Sequence, residues 1–195
     1  MTALVEAPPL TAEELLRRSD DRRYELVDGK LVEKTMAATA TLVASEIHGL
    51  LWNHCRSTSS GAVFLSEQGY QCFPHRPNTV RFPDISFITR ARLSPDLAEG
   101  YIRIVPDLVV EVLSPTDLAR DVSRRITDYL RAGVRLLWVV DPEARLVFVY
   151  HQGRPGLILT EHDYLEGEDV LPGFRVAVRE IFRPLELLQL SPPGS

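Results

Sequence analysis

Lysine is nearly missing from this chain: Lys30 and Lys34 stand against 20 arginines. Any chemistry that needs an amine is confined to two positions. Cysteine is as scarce, and Cys55 and Cys72 show neither CxxC spacing nor a nearby histidine pair of zinc-ligand form. That spacing excludes a disulfide framework and a structural zinc site. No apolar run approaches the roughly 18 residues of a membrane span. The start, MTALVEAPPL, has no basic region followed by an apolar core, so no secretory signal is expected and the cytoplasm is the expected compartment. Positive charge is not in excess either. A formal charge of -5 argues against a protein that coats nucleic acid nonspecifically, although local arginine clusters could still meet phosphates.

What is present is a chain of 195 residues, 45% apolar and 25% charged, enough for one domain that buries a polar site. A flexible arm is expected over residues 1–10, a single domain over 11–188 and a flexible tail over 189–195. Thr11 and Glu14 have capping-box spacing before a short helix. YELVDGKLVE alternates on either side of Asp28-Gly29, the strongest short-range hairpin signal. Residues 37 to 56 repeat their apolar positions at helical spacing. AVFLS, GYQCF and VRFPDISFI read as strands, and a polar loop from Arg90 to Arg103 follows. DLVVEVL leads through Ser-Pro-Thr-Asp into a helix ending at Gly133, then VRLLWVVD, a turn at DPEA and RLVFVYH. A last strand pair is expected around GLILTEHDYL and VLPGFRVAV. Strand, helix, strand between residues 107 and 141 with hairpins on both flanks predicts an α/β (α+β) fold with a mixed central sheet flanked by helices.

Within that pattern PDLVVEVLSPTD holds an anomaly, because Glu111 stands inside an apolar strand. A carboxylate there must be paired, protonated or bound to a cation. A structural glutamate paired with an arginine is one answer. Glu67 at a strand end and Asp84 within VRFPDISFI suggest another: carboxylates converging from neighbouring strands make an oxygen site for Mg²⁺ or a similar hard cation. Asp107, four residues before Glu111 on the same strand face, is the fallback ligand, although its expected role is to start the strand.

The order RRYELVDGKLVE, RFPDISFI, PDLVVEVLSPTD, YLRAGVRLLWVVDPEARLVFVY resembles the Uma-two family of restriction-endonuclease-like proteins, within the PD-(D/E)XK nuclease superfamily. The resemblance covers nearly the whole chain. It implies a restriction-endonuclease-like core, with Asp84 and Glu111 as metal-binding carboxylates, Glu67 as a third acid near the same metal, Mg²⁺ or Mn²⁺ as cofactor and DNA as substrate. The superfamily's lysine, two residues after the acid, is Leu113 here. The family places it instead four residues before the tyrosine of the helix, where this chain has Arg125. With Leu118 at zero and about 100° per residue, Arg125 falls near -20° and Tyr129 near 20°, so Arg125 borders the buried face. An ordinary helix ion pair with Asp121 is the alternative. An arginine keeps the charge and can clamp a phosphate, but it cannot shed a proton.

Two functions follow as expectations. The first is a metal-dependent endonuclease in which Asp84, Glu111 and Glu67 hold the metal, Arg125 holds the scissile phosphate or the attacking water, and Arg90, Arg92 and Arg103 meet backbone phosphates. A homodimer fits a double-strand cut, which needs two active sites. The second is an inactive module of the same fold that binds nucleic acid or a protein partner. Glu46 on the long helix reads as solvated, and Trp52, Trp138, Phe148 and Tyr150 as core or hairpin packing.

Overall fold

The computed structural model describes residues 9–18, 24–34 and 37–188. Most of the expected arm and the whole expected tail lie outside the described residues. Helix α1 (Ala12–Arg17) opens on the expected capping box, Thr11 and Glu14 each satisfying the other's backbone N–H. Strands β1 (Tyr24–Val27) and β2 (Lys30–Glu33) pair antiparallel around Asp28-Gly29. Both turn residues have positive φ, 52° and 76°, as a tight two-residue hairpin requires. The hairpin is anchored through a bridge between Leu26 and Val80.

Helix α2 (Ala38–Thr58) leads to the central sheet: β3 (Gly61–Leu65), β4 (Ile85–Thr89), β5 (Leu108–Val112), β6 (Leu136–Asp141), β7 (Leu146–His151) and β8 (Arg154–Leu159), side by side in that order. All neighbours run antiparallel except β5 and β6, which are parallel and joined by helix α3 (Ala119–Ala132). Gly133 ends α3 in the left-handed conformation, φ 102°, that its missing Cβ allows. This is the mixed sheet that the βαβ pattern implies. Strands β9 (Tyr164–Glu166) and β10 (Arg175–Ala177) follow, then helix α4 (Val178–Phe182), which runs into a 3-10 turn over Arg183–Leu188. Among the described residues, no helix is long and apolar enough to cross a membrane.

The inner strands β4, β5 and β6 bury both faces. Val110, Val112, Trp138 and Val140 join Val43, Ile47 and Leu51 of α2 in one core, while Val109, Leu137 and Val139 join Tyr129 of α3 in the other. Because successive side chains alternate, Glu111 falls on the α3 side of β5.

Three local expectations give way to the structure. GYQCF is not a strand: Tyr70 makes single bridges to Arg81 and Ile102, and the alternation of buried Tyr70 and Cys72 reflects packing beneath α3. GLIL belongs to β8 and pairs with β7, so the last strand pair is the short β9–β10. Trp52 is half-exposed and stacks on His48 instead of entering the core, whereas Trp138 is fully buried against Phe174.

Candidate functional site

The site forms where the β4–β5 ladder runs out. Ile85 pairs with Val110, and the next position along that register sets Asp84 opposite Glu111. Pro83 has no backbone N–H to give, and Asp84 lies in a bend just before β4. Its side chain takes over from the ladder: the Val112 N–H donates to Asp84 Oδ2 at 2.8 Å. That bond fixes the Asp84 carboxylate at the edge of β5.

Glu111 is 4% exposed. The Tyr129 hydroxyl donates to its Oε1 at 2.8 Å, and Arg125 Nε approaches Oε2 at 3.7 Å. Arg125 thus faces the buried side of α3, as its helical phase implies. Its ion pair is with Asp117, Nη2 to Oδ1 at 2.6 Å, and not with Asp121. Asp117 is itself fixed by the Ser-Pro-Thr-Asp turn, its other oxygen accepting the Ser114 N–H at 2.8 Å. Arg125 Nε is buried with no hydrogen-bond partner.

A residue that the sequence reading did not place completes the group. Lys34, immediately after β2, donates through Nζ to the Phe82 carbonyl and to Asp84 Oδ1, the latter at 3.1 Å. The only available signal was the scarcity of lysine. Behind it Glu25 of β1 is buried, accepting from the Phe82 N–H at 3.0 Å and from Arg81 at 2.5 Å. Arg81 continues to Asp128 of α3, which Arg76 also binds, and Arg76 reaches Asp28 of the hairpin turn. This chain of ions ties the hairpin to α3 beneath the site.

The electrostatics are unbalanced at one atom group. Burial pushes the Glu111 carboxyl up to about 7; Arg125 and Lys34 pull it back, while Asp84 and Glu25 push it further. Burial alone would lower the Lys34 ammonium, yet Asp84, Glu111 and Glu25 outweigh it and hold Lys34 above its ordinary value. Tyr129 is held well above the usual phenol range by burial and by the Glu111 charge, so it remains a hydrogen-bond donor.

Glu67 does not complete this constellation. It lies in an exposed turn after β3, and among the described residues no three His, Cys, Asp or Glu side chains gather as a metal-binding group. Asp107, the fallback ligand expected to start the strand, stands just before β5: it accepts from the Thr89 N–H at 2.9 Å and from Arg92 at 2.7 Å. Arg92 is therefore committed to the fold. Glu46 lines a separate groove with Arg183 and Leu187.

The acids that remain suit a hard divalent cation. Mg²⁺ takes one or two protein carboxylates and keeps several waters. Asp84 and Glu111 could serve as such a pair, since burial keeps the Glu111 carboxyl raised in spite of Arg125 and Lys34.

The sequence profile of the Uma2 family, described as "Putative restriction endonuclease", matches residues 12–179. The chain belongs to that family. Among solved structures, the chain is similar to a "putative nuclease belonging to DUF820" from Anabaena variabilis, with a TM-score of 0.77 and 22% identity. The match covers 91% of this chain and 99% of that one, so the two share a fold over nearly their full lengths. No curated protein matches the chain.

Proposed function

We propose that this protein is a metal-dependent endonuclease that hydrolyses DNA phosphodiester bonds at the Asp84–Glu111 site. The observation that supports it best is two carboxylates opposed across β4 and β5, one of them buried and raised to about 7, beside the cations Lys34 and Arg125. A structural glutamate would be neutralised by its arginine at hydrogen-bond distance. Arg125 Nε stays 3.7 Å away.

Asp84 and Glu111 would hold Mg²⁺ or Mn²⁺. When bound, the cation supplies a more acidic water and positive charge for the phosphate undergoing displacement. Tyr129 donates to Glu111 Oε1 and fixes the carboxylate's orientation. Arg125, clamped by Asp117, favours the ionised form of Glu111 that a metal requires. For the flanking DNA, α3 offers Arg124 and Arg131, which line a cleft of about 490 Å³ with Arg76 and His75. Both stand on the cleft wall where backbone phosphates would pass. A homodimer would supply the two sites of a double-strand cut, and the exposed Leu157 and Ile158 on the edge strand β8 are the surface for it.

The test is cleavage of supercoiled plasmid in Mg²⁺ and in Mn²⁺ by wild type and Asp84→Ala. Nicking that disappears in Asp84→Ala is expected. Cleavage that survives the substitution would remove the site, and none by wild type would favour the inactive binding module.

A further inference from the structure

We propose that Lys34, from the end of β2, is the site's phosphate-directed amine, in place of the helix lysine whose position is occupied by Arg125. The inference rests on the nuclease reading above and deepens it. An ammonium has three N–H donors. Lys34 uses one on the Phe82 carbonyl and one on Asp84 Oδ1, which leaves one uncommitted on a side chain that is 16% exposed. The third N–H serves a non-bridging oxygen of the scissile phosphate. A phosphate bound by a cation on Asp84 would stand within one side chain's reach of Lys34.

Arg125 is not free for that task. Its Nη2 is taken by Asp117 and its Nε is buried toward Glu111, so the guanidinium is wedged between two carboxylates. It is a positioning residue for Glu111. Lys30 is no substitute, being exposed at the first position of β2. Lys34, by contrast, is held from behind by the buried Glu25–Arg81 pair, which fixes the Phe82 backbone that it grips. The competing role is a tethered counter-ion that stands where the divalent cation would stand. The two roles differ in what removal of the amine does to metal binding.

The experiment compares wild type, Lys34→Met, Lys34→Gln and the double variant Lys34→Met/Arg125→Lys, by plasmid cleavage in Mg²⁺ and by the thermal shift that Mn²⁺ produces. Lys34→Met is expected to cleave on the order of 100-fold more slowly, the usual cost of one transition-state donor, with a Mn²⁺ shift equal to that of wild type. Lys34→Gln keeps a donor for Phe82 or Asp84, so it is expected to fold even if the methionine variant does not, and to show the same loss. Returning the amine to the helix in the double variant should restore at least a tenfold gain over Lys34→Met, which a merely structural lysine would not allow. Wild-type cleavage in either single variant, or a larger Mn²⁺ shift with faster cleavage, overturns the Lys34 role alone. A wild type that cleaves nothing overturns the nuclease reading and this inference together.

Discussion

Strand β5 and the residue just before it hold two buried carboxylates that differ in how they are satisfied. Asp107, immediately before the strand, accepts from a backbone N–H and from Arg92, with Arg135 at 3.5 Å as a further charge. Glu111, four residues on, has one hydrogen bond, from Tyr129, and an arginine that stops short at 3.7 Å. Both acids are buried, so burial alone does not separate them. Completeness does. A saturated carboxylate holds a loop, and an unsaturated one beside a second acid keeps capacity for a cation.

Substitutions can break that contrast. The largest effect is expected for Glu111→Ala, which should slow cleavage on the order of 1,000-fold and abolish the thermal shift produced by Mn²⁺. Asp107→Ala should do the reverse. It is expected to cost about 2–3 kcal/mol of stability by stranding the Thr89 N–H and Arg92, while the Mn²⁺ shift of the folded protein remains. A lost shift in Asp107→Ala would make the two acids alike.

Tyr129→Phe removes the one hydrogen bond that Glu111 has. A loss of about 10-fold in cleavage or metal affinity is expected, as for other groups that orient a ligand. Glu111→Gln sharpens the contrast through pH. The folded state raises the Glu111 pKa from 4.5 to about 7 and so binds that proton more tightly than the unfolded chain. The charge therefore costs stability progressively as pH rises from about 4.5, and fully above about 7. In metal-free buffer, Glu111→Gln should melt above wild type at pH 8, and the gap should close toward pH 5. A gap independent of pH would mean that Glu111 carries no such penalty. The smallest effect is expected for Glu67→Ala, within about 0.5 kcal/mol of wild-type stability and with the Mn²⁺ shift intact. A diminished shift would return Glu67 to the metal.

Much of this was legible in the residues. Glu111 and Arg125 lie in regular elements whose period says which side each faces, the βαβ unit could be recognised by the same periods, and Asp84, one residue before β4, stood out through the family resemblance. Lys34 could not. Its approach to Asp84 depends on how the β1–β2 hairpin docks, through Leu26 to Val80, across a separation of 50 residues from Asp84. Glu25 was hidden for the same reason, since its partner Arg81 lies 56 residues away. Glu67 was misleading in another way: a position just past a strand looks like a strand end, but the turn after β3 carries it into solvent.

The central claim is that Asp84 and Glu111 share one cation, and a crystal soaked in Mn²⁺ tests it most directly. An anomalous difference peak bridging the two carboxylates, absent from a Glu111→Gln crystal, is the expected result. A peak confined to other side chains, or none at saturating Mn²⁺, would contradict it.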